Sequence, residues 1–233
     1  MASDAERVAA NVWRRRQRFE MAAAARFEQL AASLASQGAQ PTVVRMAREA
    51  ARDEHRHAEL CAELVRHYGR EAASMDRGPT TAVAPRQLSP REQVLYEVVA
   101  MCCVTETLSN ALLGTLLEQA HDTLTRRTMR AILRDEVQHS RLGWAHLAAE
   151  RERGASDVIG PFLPAILAGT VAEEVFSDEP EHPLQEALGC RGSLSRADRL
   201  RVFGDTMRQV VFPGLTRFGI ETRHGETWLA ERT

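Results

Sequence analysis

Arg52-Asp53-Glu54-His55-Arg56-His57 and Arg134-Asp135-Glu136-Val137-Gln138-His139 state one phrase twice, R-D-E-x-x-H, in two stretches of helical periodicity. At about 100° per residue, a Glu and a His three positions apart lie about 60° from each other on one helix face, so both can address a single bound ion. That face is otherwise apolar. Ala47, Glu54, Cys61 and Tyr68 form one heptad line, and Val43, Ala50, His57 and Leu64 form another. In the second stretch Met129, Glu136 and Gly143 align, as do Ile132, His139 and His146. The repeated phrase therefore interrupts the stripe that should face the core.

Two more carboxylates break apolar lines elsewhere: Glu20 between Trp13 and Phe27, and Glu106 between Val99 and Leu113. Burying four carboxylates uncompensated would cost several kcal/mol for each ion. Two divalent cations supply the compensation. Oxygen donors with one imidazole per ion suit iron or manganese, and the expected pair is two irons, with a mixed manganese and iron pair also open. Zinc prefers tetrahedral nitrogen and sulfur sites, and calcium seldom takes imidazole. The expected ligands, which are also the expected catalytic residues, are Glu20, Glu54, His57, Glu106, Glu136 and His139. Asp53 and Asp135 each precede a ligand glutamate and are placed to accept a hydrogen bond from the outer nitrogen of a ligand histidine. Glu28 is rotated off the apolar line of its helix and should face solvent. His146 reads equally well as a pocket or a core histidine. Cys102, Cys103 and Asn110 lie within a turn of Glu106, as cavity lining or, for the cysteines, as small filler.

The surrounding punctuation orders the helices. A first helix over about 5–36 ends at Gly38 and Pro41, and a second runs over about 42–68 to Gly69. Residues 69–88 hold no sustained period and contain Gly78, Pro79 and Pro85, which predicts a long connection. Ser89, Pro90 and Glu92 then form a capping box for a helix reaching about Ala120, and Asp122 caps a fourth over about 123–151. Two helical hairpins joined by one long crossover give an all-α, ferritin-like four-helix bundle over 1–154. Residues 155–233 predict a helical extension packed on the bundle: a short helix over about 161–174, a loop over 177–194, and a last helix over about 196–219 kinked at Pro213.

Composition narrows the function. Hydrophobic residues make up 44% of 233, aromatics 5% and charged residues 27%, which suits a helical core of Ala, Leu and Val. The formal charge of −2 offers no global basic field for nucleic acid or anionic lipid, and the Arg14, Arg15, Arg16, Arg18 run reads as a solvated helix face. No stretch resembles a secretion signal or reads as about 20 consecutive apolar residues, and the four cysteines form no CxxC pair. Cytoplasmic residence without a membrane is the expectation.

The stretch Glu20 to Pro41 (EMAAAARFEQLAASLASQGAQP), the D-E-x-x-H phrases at 53–57 and 135–139, and Thr105-Glu106-Thr107 resemble bacterial ferritin-like domain proteins of the di-iron carboxylate superfamily. The similarity runs over about 10–150, with a weaker echo at Arg208 to Pro213. It implies two iron ions and, in many members, dioxygen-dependent oxidation, with an external electron donor compatible with that chemistry. The expectation is an oxidase or oxygenase acting on a small organic substrate, with Ala23, Ala24, Ala58 and Gly143 leaving room for it. The alternative is a ferroxidase or iron-handling protein. A homodimer is the default assembly.

Overall fold

In the computed structural model the chain is described at residues 2–75, 83–85, 87–153, 158–175, 183 and 185–233, with backbone alone at 170–174. Helix α1 (Asp4–Ser36) opens on a capping box in which Glu6 N–H donates to Ser3 Oγ and Ser3 N–H donates to Glu6 Oε2 at 2.7 Å. Gly38, at φ 68°, turns the chain where a Cβ would be strained, and Pro41 starts α2 (Pro41–His67). The long connection follows; Gly78 and Pro79, on which its reading rested, lie outside the described residues.

The capping box at Ser89 and Glu92 forms as its sequence predicts, and it starts a rod, α3, over Pro90–Gln119. This rod is not uniformly α-helical. Val99–Thr105 form a π-helical segment between Pro90–Val98 and Glu106–Gln119, in which Glu106 N–H donates to Met101 C=O five residues back. The apolar run VAMCCVT gives no sign of it in the sequence. An 18-residue window of this rod has mean hydropathy 1.3, so by length and composition it could cross a bilayer, contrary to the sequence expectation. The bundle itself explains that composition, because 67% of the window is buried inside it. Helix α4 (Thr123–Glu152) starts where Asp122 accepts from Thr125 N–H at 2.7 Å.

The apolar core falls into two clusters. Trp13, Cys61, Leu64, Met129 and Ile132 belong to one, and Phe27, Ala47, Ala50 and Leu142 belong to the other. On α1, α2 and α4 the gap between them is filled by Glu20, by Glu54 and His57, and by Glu136 and His139. The polar layer is thus flanked by hydrocarbon above and below.

The expected end of the bundle at 154 falls on residues outside those described. Beyond it come a 3-10 turn (Gly160–Phe162) and α5 (Leu163–Val175). Two departures follow. The stretch read as loop holds a short helix, α6 (Gln185–Gly189), and the last helix stops at Arg217 before a further one, α8 (Arg223–Ala230). Helix α7 occupies 196–217 without a break. Its π-helical part, Met207–Val211, sits one turn before Pro213 and contains the position whose carbonyl the proline ring would crowd. Leu163, Ile166, Phe203 and Met207 share a buried cluster with Leu108, Leu112 and Leu116 of α3, and Trp13 Nε1–H donates to Arg191 C=O at 2.8 Å.

Gly143 lies at a tight contact of α4 with α3. A Cβ there would lie 2.7 Å from Cys102 Cβ, 2.7 Å from Cys103 Sγ and 3.1 Å from Cys103 N. An exposed helical Gly→Ala change normally stabilises by up to about 1 kcal/mol. Gly143→Ala should instead destabilise by about 1–3 kcal/mol, read as a lowered urea midpoint at unchanged slope.

Candidate metal centre

The six polar residues picked out by the heptad lines meet in one layer. Glu54, His57, Glu106, Glu136 and His139 are buried, and Glu20 is half-buried. Two overlapping groups form: Glu20, Glu54, His57 and Glu136, and Glu54, Glu106, Glu136 and His139. Within each group one donor atom per residue lies within 4.8 Å of all the others. Glu54 and Glu136 belong to both groups. His57 Nδ1 is 3.4 Å from Glu54 Oε2 and 3.7 Å from Glu136 Oε1. His139 Nδ1 is 3.0 Å from Glu54 Oε1, 3.4 Å from Glu136 Oε2 and 3.9 Å from Glu106 Oε2.

Each histidine is held from behind by the aspartate of the other helix. His57 Nε2 lies 3.3 Å from Asp135 Oδ2, and His139 Nε2 lies 3.4 Å from Asp53 Oδ2. Arg56 ties the two aspartates together, donating to Asp53 Oδ1 at 2.8 Å and to Asp135 Oδ2 at 2.7 Å. The aspartate roles are legible in the sequence; the crossing and Arg56 are not. Arg56 faces Gln138 in the repeat, so comparing the two phrases hides it.

With their outer nitrogens directed at aspartates, both imidazoles turn Nδ1 inward. His57 Nδ1, His139 Nδ1, Glu54 Oε2 and Glu136 Oε2 are buried without a hydrogen-bond partner. Four acceptor-type atoms orphaned around one space fit a pair of cations. The titration of the layer agrees. Burial, then Glu54, pushes Glu20 well above the usual carboxylate range, and burial, then Glu136, does the same to Glu106. Burial would also raise Glu54, but His139 and His57 outweigh it and draw it down to about 2. Burial lowers the two histidines, yet Glu54 at His57 and Asp53 at His139 raise both. Without cations the layer holds itself together with protons.

A family model described as Rubrerythrin matches residues 17–144, from just before Glu20 to just past His139. The chain belongs to the rubrerythrin family. No curated protein gives a significant match to the sequence. Membership implies iron at this layer, and the donor set is one that would hold it.

The remaining residues named from sequence divide. Asn110 Nδ2 donates to the Glu106 and Glu136 carbonyls at 2.8 and 3.2 Å, strapping α3 to α4. Cys102 and Cys103 are filler packed against the Gly143 backbone. His146 is a core histidine whose basicity burial lowers. Glu28 is exposed, with His55 3.3 Å away. A cavity of about 320 Å³ opens beside the layer, lined by Glu20, Glu54, Glu106 and Glu136 and by apolar residues including Ala23, Met101 and Leu108. Of the small residues expected to make room, Ala23 lines it, whereas Ala24 and Ala58 are buried in the packing and the space beside Gly143 is taken by cysteine. The arginine run is not a uniformly solvated face. Arg18 is exposed, but Arg14 is half-buried and donates to Glu71 C=O, and Arg16 is half-buried at the cavity.

Two outcomes follow from this rubrerythrin layer. Asp53→Asn and Asp135→Asn should each weaken metal binding by about 10- to 100-fold, measured by competition against a chelator. In the metal-free protein, Glu20, Glu106, His57 and His139 all have raised pKa values, so the native state binds more protons than the unfolded chain and loses stability as pH rises. Glu54 has the opposite sign, but its contribution is complete above the ordinary carboxylate range. The melting temperature without metal should therefore fall from pH ~5 to ~8, and metal loading should abolish the fall because cations replace the protons.

Proposed function

We propose that this rubrerythrin-family chain is a di-iron, dioxygen-dependent oxidoreductase acting on a small organic molecule. The observation that carries this reading is the cavity: it reaches the carboxylate side of the layer, while the histidines are backed by Asp53, Asp135 and Arg56 on the other. Glu20, Glu54, His57, Glu106, Glu136 and His139 would hold the pair, with manganese able to take one iron's place. Bound there, the iron pair supplies the electrons that dioxygen needs and the oxidising power directed at the substrate. The chain supplies the rest. Ala23, Met101 and Leu108 keep water from the substrate's apolar part, and the aspartates fix the imidazole orientation. The Glu20 carboxylate lines the cavity and is the most exposed of the six. Gly169 of α5 and Val83 of the crossover also line the cavity, so the extension contributes to its wall.

The alternative is a ferroxidase that handles iron, as the family also allows. Iron-fed protein should carry two irons per chain, consume dioxygen when supplied with a chemical reductant, and lose both properties in Glu136→Ala. A large hollow particle by light scattering, accumulating iron far beyond two per chain, would instead establish iron storage.

A further inference from the structure

The formal charge of −2 conceals an uneven distribution. Between Thr123 and Ala149, α4 carries five arginines and two acidic residues, Asp135 and the buried Glu136. Arg127, Arg130, Arg134 and Arg141 are exposed and recur at helical spacing, so they form one stripe about 21 Å long on the outer face. The reciprocal pairs His57–Asp135 and His139–Asp53 set α2 antiparallel beside α4, which brings the exposed Arg52 and Arg56 alongside that stripe. Arg56 and Arg134 are committed to the aspartates. Arg52, Arg127 and Arg130 make no ion pair among the described residues, and Arg141 pairs there only with the neutral Gln138, at 3.5 Å. Glu49, Glu59 and Glu63 interrupt the basic character of α2, but nothing comparable interrupts that of α4.

This face covers the histidine side of the layer, and none of its arginines lines the cavity. Arg56 donates to Asp135 at 2.7 Å, and Asp135 lies 3.3 Å from His57 Nε2, so two polar contacts join an exposed guanidinium to an imidazole of the layer. Asp53 gives the same link to His139. The proposed oxidoreductase needs electrons from outside the chain, and a donor that entered through the cavity would compete with the substrate. We propose that the outer face of α2 and α4 docks a small acidic protein that carries one electron at a time, held by Arg52, Arg130 and Arg141 and delivering its electron beside Arg56. Each encounter oxidises the carrier by one electron and reduces one iron of the bound pair by one, with no atom transferred. Val137 favours a protein over a nucleic acid as the occupant. It is 37% exposed within the stripe, between Arg134 and Arg141, and an apolar centre ringed by charge is the anatomy of a protein interface. Glu49, Glu59 and Glu63 would repel a phosphate backbone. Weak, salt-sensitive docking suits a carrier that must leave after each transfer. The purpose of the docking rests on the di-iron reading above, whereas the docking itself needs no metal.

The test is calorimetric titration of the full-length protein, both iron-loaded and metal-free, with an oxidised acidic ferredoxin of the plant [2Fe–2S] type as the probe. Binding should be on the order of micromolar at low salt and weaken by about 10-fold or more at ~0.5 M salt. Arg52→Gln/Arg130→Gln/Arg141→Gln should lose about 10-fold or more in affinity with iron content unchanged. The same variant should slow reduction of the iron by reduced ferredoxin and leave reduction by dithionite unaltered. Arg18→Gln/Arg70→Gln/Arg223→Gln removes the same charge from exposed positions elsewhere and should change the affinity by less than about 2-fold. Val137→Asp should weaken docking. No binding at low salt, affinity untouched by the first triple variant, or equal losses in the two triple variants overturns the inference. A single-stranded oligonucleotide that binds this face more tightly than ferredoxin overturns it as well, by making the occupant a nucleic acid. Should the first triple variant fail to fold, Arg130→Gln and Val137→Asp decide singly, and unchanged affinity in both overturns it. Protein that binds two irons and consumes dioxygen yet does not dock ferredoxin sinks this inference alone. Protein that binds no iron sinks the functional reading first, while the metal-free titration still reads the docking.

Discussion

Four carboxylates and two imidazoles in the middle of an apolar bundle are the constraint around which the rest of this chain is arranged. Removing a single charge from water costs several kcal/mol after relaxation, a sizeable part of the net stability of a domain. The layer is tolerable only with counter-charge at its centre. Protons can provide this in the metal-free state, as the raised Glu20, Glu106, His57 and His139 indicate, but they leave Glu54 Oε2, Glu136 Oε2 and both Nδ1 atoms without partners. Two cations would satisfy all of these atoms at once. The helices holding the layer therefore need long apolar segments on either side of it, which is why the core divides into two clusters.

The outer hydrogen bonds make the constraint directional. If Asp53 served the histidine of its own helix, each helix could place its donors independently. Instead Asp53 holds His139 and Asp135 holds His57, and Arg56 clamps both aspartates, so the register of α2 against α4 and the orientation of both rings are one structural variable. The clamp is partly exposed, with Arg56 at 44% side-chain accessibility, so its ion pairs contribute less to stability than to geometry.

Much of this was legible because buried charge is the strongest violation a heptad line can carry. Glu20, Glu54, His57, Glu106, Glu136 and His139 each stood where Leu or Ala would be expected, and the capping box at Ser89 and the break at Gly38 framed the helices that carry them. Features that depend on how one helix sits on another were not legible. Gly143 looked like room for a ligand and is instead the contact at which α4 meets Cys102 and Cys103. Arg16 looked like part of a solvated run, because sequence spacing does not show that a neighbouring cavity reaches the side of α1 on which it lies. The π-helical segment before Glu106 was invisible for a different reason: widening a helical turn needs no special residue, only compensating contacts around it.

That segment bears on how the layer is completed. Each residue of an α-helix turns the next side chain by about 100°, so accommodating one extra residue in Val99–Thr105 re-aims everything that follows relative to everything before. Before it, Val94 and Val98 belong to the cluster of Phe27 and Leu142 while Leu95 and Tyr96 belong to that of the extension; after it, Leu108, Leu112 and Leu116 belong to the extension's cluster and Glu106 enters the layer. Locally, Thr105 Oγ1 donates to Ala100 C=O at 2.9 Å, satisfying a carbonyl within the widened turn. The rod thus touches both clusters before the layer and the extension's cluster after it, with Glu106 between, and Glu106 is also part of the cavity wall.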